Sequence, residues 1–297
     1  MSTEARARRA RAQAYLAFAV LALVWGYNWV VAKVATRDAS VIVIAALRSW
    51  LGAATLLAFL AVTGRSLRPP PFLPTAILGL LQTALFALFA TAAVSVGGAG
   101  KVVVLVYTMP LWLALLARVF LGERLTPRRW FALALAGAGL AFIFDPFHSR
   151  SMLASALAVT TGLVWAASAV WAIKLRTTSH DLLALTTWQM VWGSLMLLPV
   201  VIFVPWHLRW TLSFAAAIAY SAVATNALGW VLWLFILSRL PAGVVGVASL
   251  ATPVVGLLAA AVQLHETPSV AELVGMGSLL LALLVNSRAG AERSTRR

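Results

Sequence analysis

The sequence contains no cysteine and very little charge. Charged residues make up 10% of the 297 residues, whereas hydrophobic residues make up 62%. The lack of cysteine excludes disulfide bonds, thiolate catalysis and cysteine-ligated metal sites. Soluble domains are about half apolar and about a quarter charged, so we expect lipid rather than water to be the main solvent of this chain.

Acidic residues are especially scarce, and the net charge is +15. The 23 basic residues are scattered singly or in short clusters between apolar runs, and they do not define one basic soluble face. This distribution argues against nucleic-acid binding. Motifs of intramembrane enzymes are also missing, including His-Glu-x-x-His and Gly-x-Ser-x-Gly. The predicted partners are the lipid bilayer and a small solute, and no catalytic activity, cofactor or metal is expected.

Long apolar runs occupy nearly the whole chain. A membrane-spanning helix needs about 20 mainly apolar residues. Because only helices or closed barrels satisfy backbone groups in lipid, and runs this long are not barrel strands, the fold class is all-α integral membrane. The ten predicted spans are 13–34, 40–63, 72–95, 98–120, 128–146, 151–173, 182–204, 211–237, 241–263 and 270–288.

The basic residues predict the orientation of these spans. With ten spans both termini lie on one side, and 17 of the 23 Lys and Arg residues then fall on that side against five on the other. Basic residues accumulate in cytoplasmic loops. The sequence therefore predicts a multi-pass protein of the plasma (bacterial inner) membrane with both termini in the cytoplasm.

The second half of the sequence repeats features of the first half. Leu23-Val24-Trp25-Gly26 recurs in the second half as Leu163-Val164-Trp165-Ala166. Three further matches share one common spacing along the chain: Ala99-Gly100 with Ala242-Gly243, Pro110 with Pro253, and Glu123 with Glu266. Five spans per half is an odd number, so equivalent helices cross the membrane in opposite directions. We expect two inverted five-helix repeats, residues 1–148 and 149–297.

These residues resemble the EamA-type transporters of the drug/metabolite transporter superfamily. Each half of such proteins has a Trp-containing first helix and a fourth helix with a mid-span proline that ends in Gly-Glu, as in Gly122-Glu123. An arginine in the second helix, like Arg48, is also usual. The second half departs from the pattern, with His265 in place of glycine before Glu266. The resemblance implies a central cavity and alternating access, and it is strongest to the amino acid exporters of the YddG type.

Two interrupted helices are the candidate moving parts. Pro110 and Pro253 lie in mid-span, where proline removes a helical hydrogen bond and kinks the helix. Gly100 and Gly243 precede them at equivalent positions. Such interruptions in corresponding places of both halves point to hinges or to the binding site. The alternative is that proline is merely tolerated within a membrane helix.

Polar and aromatic residues inside the spans are the candidate cavity residues. Amides and hydroxyls at membrane depth seek partners, so we expect them to face a cavity, or alternatively to hold packed helices together. Tryptophans offer stacking surfaces to a substrate. The uncharged candidates are Trp25, Asn28, Gln82, Thr83, Tyr107, Trp165, Ser168, Thr225 and Asn226.

Arg48 and Lys101 are the candidate partners of a substrate carboxylate. Arg48 lies about nine residues into the second span, where an unpaired charge is costly. It could instead bind backbone carbonyls, and Lys101 could extend to the membrane surface. None of the acidic residues falls in mid-span. Since proton relays need a titratable group within the membrane, we expect facilitated diffusion or exchange rather than proton-driven transport.

The predicted function is export of small metabolites, most of all aromatic and other amino acids. Multidrug or other metabolite efflux on the same fold is the first alternative. A membrane scaffold that transports nothing, or an intramembrane enzyme, is the alternative from another class.

Overall fold

The structure is a computed structural model that describes residues 3–143, 149–175, 181–240 and 250–294. These residues are almost entirely helical. The α-helices are α1 (Thr3–Ala35), α2 (Val41–Val62), α3 (Phe72–Gly79), α4 (Phe86–Val96), α5 (Ala99–Val106), α6 (Met109–Leu121), α7 (Pro127–Ile143), α8 (Ser149–Leu175), α9 (Leu182–Leu195), α10 (Leu198–Phe203), α11 (Leu212–Ala219), α12 (Gly229–Arg239), α13 (Ala251–Gln263) and α14 (Val270–Ser294). Two π-helical segments, Leu80–Leu85 and Tyr220–Leu228, join α3 to α4 and α11 to α12.

Seven helical stretches are long and apolar enough to cross a membrane, which confirms seven of the predicted spans. The three others coincide with α7, α13 and α14, and their crossing of the membrane stays a prediction. Residues 241–249 of the ninth predicted span lie outside the described residues. The seven stretches are Ala12–Ala35, Val41–Val62, Phe72–Val96, Ala99–Leu121, Met152–Leu175, Leu182–Phe203 and Leu212–Ile236.

The predicted fourth and seventh spans are broken into two helices each. Pro110 is the second residue of α6, which begins after a turn at Tyr107 and Thr108. Pro199 is likewise the second residue of α10. Proline is favoured in the first turn of a helix because the amide it lacks has no intrahelical partner there. Pro110 therefore starts a new helix, where the sequence alone predicted a kink within one.

Hydrogen bonds and ion pairs bring the interhelical connections together at two ends of the bundle. The first end holds residues 33–40, 97–101, 204–213 and 264–272. There Ala39 and Leu208 form an isolated β-bridge. The second end, reached by following α2 from Val41 to Val62, holds residues 63–71 and the start of α9. There Arg65 lies 3.4 Å from Asp181.

The packing pairs helices from the two halves of the sequence. α7 packs along α14, and α2 packs along α9. α1 packs against α13, while α8 packs against α4, α5 and α6. α5 is buried along its whole length, and its Val102–Val106 segment forms the middle of the largest apolar cluster. The bundle thus holds α5 rigidly beside α1, α8 and α13.

Candidate functional site

A cavity of about 330 Å³ lies within the bundle. It is lined by side chains from α1, α2, α4, α6, α8, α9, α12, α13 and both π segments, so both halves of the sequence contribute. Most of the lining is aromatic or aliphatic, with a few polar groups. A small, largely apolar cavity with a few converging polar groups is the usual form of a small-molecule site.

A cluster of three tryptophans forms one wall of the cavity. The ring of Trp25 lies 6.1 Å from that of Trp230 and 5.7 Å from that of Trp233. The indole Nε1 of Trp25 donates a hydrogen bond to the carbonyl oxygen of Thr225 at 3.1 Å. Gly229 permits this arrangement, because a Cβ atom there would overlap the indole nitrogen. The position of Trp25 is therefore set by a hydrogen bond as well as by packing.

The π segment Tyr220–Leu228 supplies polar groups to the cavity. The side-chain oxygen of Asn28 accepts hydrogen bonds from the hydroxyls of Ser221 at 2.9 Å and Thr225 at 3.1 Å. Single π-helical turns inside α-helices occur frequently at functional sites. The other π segment, Leu80–Leu85, begins at the equivalent position of the first half. Leu80 and Tyr220 are as far apart in the sequence as the repeated Trp25 and Trp165.

The π segment Leu80–Leu85 places Gln82 and Thr83 in the lining of the cavity. The Thr83 hydroxyl donates to the side-chain oxygen of Gln189 on α9 at 2.9 Å, and both residues are buried. Gln82 is partly exposed. This bond fixes the Thr83 hydroxyl in the cavity wall, whereas Gln189 itself lies outside the lining.

Arg48 brings a positive charge to the cavity. It is the eighth residue of α2, about 10 Å along the helix at a rise of about 1.5 Å per residue. Its Nη2 donates to the side-chain oxygen of Asn226 at 3.3 Å, and the Asn226 amide donates to the Arg48 carbonyl at 2.9 Å. Gly52, one turn further on, lets Asn226 approach, since a Cβ there would lie 2.8 Å from the Asn226 Cβ.

The break between α5 and α6 opens directly onto the cavity. Tyr107, Met109 and Pro110 all line it. The Tyr107 side chain interacts with Thr252, which stands beside Pro253 at the start of α13. Pro110 and Pro253 therefore lie in the first turns of two helices that this contact joins.

Nine of the eleven predicted cavity residues line this cavity, and so does Pro110. The Ser168 hydroxyl instead donates to the carbonyl of Trp165 within α8. Lys101 lies away from the cavity, 3.0 Å from Glu272. Of the other predicted hinge positions, Gly100 and Pro253 lie outside the lining and Gly243 falls outside the described residues. The nine are Trp25, Asn28, Arg48, Gln82, Thr83, Tyr107, Trp165, Thr225 and Asn226.

Sequence reasoning missed several lining residues. Trp230 and Trp233 are three residues apart, so they share a face of α12, and this spacing was the available signal. Gln189 lies outside the lining but holds the lining residue Thr83, and it was missed as well. It is a lone amide in the seventh apolar run, the kind of residue that seeks a partner in lipid. Phe86 and Met109 carry no such signal, because they resemble any other apolar residue of a span.

Long apolar helices around a polar and aromatic cavity define a membrane transporter as the class of protein. Residues 12–145 and, separately, residues 152–288 match the model of the EamA-like transporter family. The chain belongs to this family.

Similar proteins agree with this assignment. The chain is 25% identical over 274 residues to the uncharacterized transporter YoaV of Bacillus subtilis (strain 168), covering 89% of this chain and 93% of that protein. A riboflavin transporter of Rhizobium johnstonii is 39% identical over 70 residues, or 24% of this chain and 23% of that protein. A solved crystal structure of a protein 20% identical in sequence has the same fold, with a TM-score of 0.65 over 95% of this chain and 98% of that one.

Proposed function

We propose that this transporter exports aromatic and other amino acids, or closely related metabolites, by alternating access. The observation that carries the proposal is the composition of the cavity, which combines tryptophan faces with the guanidinium of Arg48. Aromatic faces bind planar apolar groups, and guanidinium groups bind carboxylates. An aromatic amino acid presents both groups.

The repeated features support two inverted halves, residues 1–148 and 149–297. If spans one to five correspond to spans six to ten, the packing of α1 on α13 corresponds to the packing of α8 on α5 and α6. The packing of α2 on the π segment Tyr220–Leu228 corresponds to that of α9 on the π segment Leu80–Leu85. Two separate matches to one family model support the same division. Rocking of one half against the other around the cavity is the motion we propose.

The direction of export is supported by which end of the bundle is closed. The Nζ of Lys33 donates to the carbonyls of Val94 at 2.7 Å and Gly97 at 2.8 Å, which ties α1 to α4 at the first end. The cavity reaches towards the second end, because Phe18 and Trp233 lie on the parts of α1 and α12 that point there. Under the predicted orientation the second end is cytoplasmic, so this conformation would load from the cytoplasm.

Two other substrate classes remain as alternatives. Lipophilic cations would meet the positive charge of Arg48 inside the cavity, so multidrug efflux of cations is the weaker candidate. Riboflavin is the cargo named for the Rhizobium johnstonii relative, and its flat ring system suits a tryptophan wall. The aromatic lining does not by itself separate riboflavin from aromatic amino acids.

A counterflow assay in proteoliposomes tests the proposal. Liposomes preloaded with unlabelled phenylalanine should accumulate labelled phenylalanine transiently, and tryptophan or methionine should compete. Empty liposomes and liposomes with the Trp25→Ala variant serve as controls. Competition by lipophilic cations alone would favour multidrug efflux, and competition by riboflavin alone would favour a flavin carrier. A folded protein that exchanges none of these solutes would contradict the proposal and favour a membrane scaffold.

A further inference from the structure

The cavity holds one formal charge and nothing that balances it. Among the described residues that line the cavity, Arg48 is the only charged side chain, and no carboxylate is present. Arg48 is 7% exposed. An unbalanced charge that is buried among apolar helices is costly, and it marks a functional site by default.

The guanidinium of Arg48 has hydrogen-bonding capacity left over. Its one bond, to the Asn226 oxygen, is 3.3 Å long, and its Nε is buried without a hydrogen-bond partner. Lys33 and Lys101, near the first end, differ from Arg48 in this respect. Lys33 donates to two backbone carbonyls, and Lys101 pairs with Glu272. Arg48 therefore keeps donor groups with which it can bind an anion.

The cavity offers much less to a substrate ammonium. The side-chain oxygen of Asn28 already accepts two hydroxyls, and that of Asn226 accepts from Arg48. The Thr225 carbonyl already accepts from Trp25. What remains among the described lining residues is neutral: the Gln82 amide, the hydroxyls of Ser49 and Tyr107, and the tryptophan faces. Removing an ammonium from water is costly, and a neutral acceptor offsets this cost less than a carboxylate does.

We propose that this cavity selects aromatic carboxylates of net negative charge, because Arg48 binds the carboxylate and the described lining residues include no carboxylate to bind an ammonium. The inference rests on the proposed transport of aromatic solutes and narrows it. Aromatic acids that lack the amino group are then better ligands than the corresponding amino acids. Aromatic amines are the poorest ligands.

A purely structural role for Arg48 predicts something different. If Arg48 only ties α2 to the π segment Tyr220–Leu228 through Asn226, its removal would lower stability and weaken every ligand equally. The order of affinities within a series of ligands that differ only in charge separates the two roles. The series 3-phenylpropanoate, phenylalanine and 2-phenylethylamine shares one aromatic skeleton and carries the carboxylate, both groups and the ammonium, respectively.

Binding of these three compounds to the purified full-length protein in detergent at neutral pH, followed by tryptophan fluorescence, tests the inference. The wild-type protein should bind 3-phenylpropanoate about tenfold more tightly than phenylalanine, and the amine least. Arg48→Gln should weaken 3-phenylpropanoate binding by about tenfold to hundredfold and leave the amine unchanged or improved, since charged hydrogen bonds contribute this much. Arg48→Lys should keep the order with lower affinity. Arg37→Gln removes an exposed charge outside the cavity and should change nothing.

The ranking measured on the wild-type protein tests the inference even if Arg48→Gln fails to fold. Tighter binding of phenylalanine than of 3-phenylpropanoate would overturn the inference and leave the proposed amino acid transport intact. Tightest binding of the amine, or equal weakening of all three compounds in Arg48→Gln, would also overturn it. Binding of none of the three by a folded wild-type protein would contradict the proposed function as well.

Discussion

Glu266 caps the amino end of α5 by binding the backbone amide of Gly100. One carboxylate oxygen accepts from the Gly100 amide at 2.9 Å, and the other accepts from the Ala99 amide at 2.7 Å. The first amides of a helix lack intrahelical partners, and a negative charge there is favourable. Gly98 gives the carboxylate room, because a Cβ atom at that position would lie 2.8 Å from it. This cap joins the two halves of the sequence at the first end.

Neutralising Glu266 should weaken this junction. Glu266→Gln keeps one acceptor but removes the charge and places an amide donor against the helix amides, so we expect a loss of about 1–2 kcal/mol of stability. Thermal unfolding of the purified protein measures it. Arg65→Gln is the control, because it breaks only an ion pair whose side chains are about half exposed and which contributes little. Equal unfolding temperatures for Glu266→Gln and the wild type would contradict the capping role.

Adding a methyl group at Gly229 should displace Trp25. The new Cβ would overlap the indole nitrogen, so Trp25 must give up its hydrogen bond to the Thr225 carbonyl. Losing such a buried bond costs about 1–3 kcal/mol, and we expect phenylalanine binding to fall several-fold with it. Gly137→Ala is the matched control, because nothing lies within 4 Å of its Cβ position and alanine favours the helix. Unchanged ligand affinity in Gly229→Ala would show that Trp25 does not shape the site.

The sequence predicts the helical fold well because hydropathy reports directly on lipid exposure. Seven of the spans follow from length and composition alone. The π segments were not predicted. In one of them the Thr225 carbonyl accepts a hydrogen bond from Trp25, a contact that exists only in the folded bundle. The turn at Tyr107 and Thr108 was likewise missed, because a proline at position 110 is compatible with either a kink or a new helix.

Most of the cavity residues were predictable because polar side chains in an apolar run avoid lipid and face the bundle interior. Asn28, Gln82 and Asn226 all reach it. Lys101 does not, because its partner Glu272 belongs to the other half of the sequence and their proximity exists only in the folded bundle. Ser168 satisfies its hydroxyl within its own helix, an option open to serine but not to a longer amide.

Transport should not depend on a pH gradient. No carboxylate occurs among the described cavity residues, and Glu266 and Glu272 are engaged at the first end by backbone amides and Lys101. Without a titratable acid in the transport path, protons have no group through which to drive the solute. We expect phenylalanine flux into proteoliposomes to agree within about twofold with and without a gradient of one pH unit. Accumulation against a phenylalanine gradient that a protonophore abolishes would contradict this prediction.

The most direct test of the central claim, that the cavity is exposed alternately to the two sides of the membrane, uses the lack of native cysteine. Met109→Cys places a single thiol in the cavity wall. Ser66→Cys and Ser213→Cys place one in an exposed position near the second and the first end, respectively. A membrane-impermeant maleimide applied to either face of oriented proteoliposomes then reports access. We predict that Met109→Cys reacts from both faces and is protected by phenylalanine, whereas each control reacts from one face only. Labelling of Met109→Cys from a single face, with and without phenylalanine, would contradict alternating access.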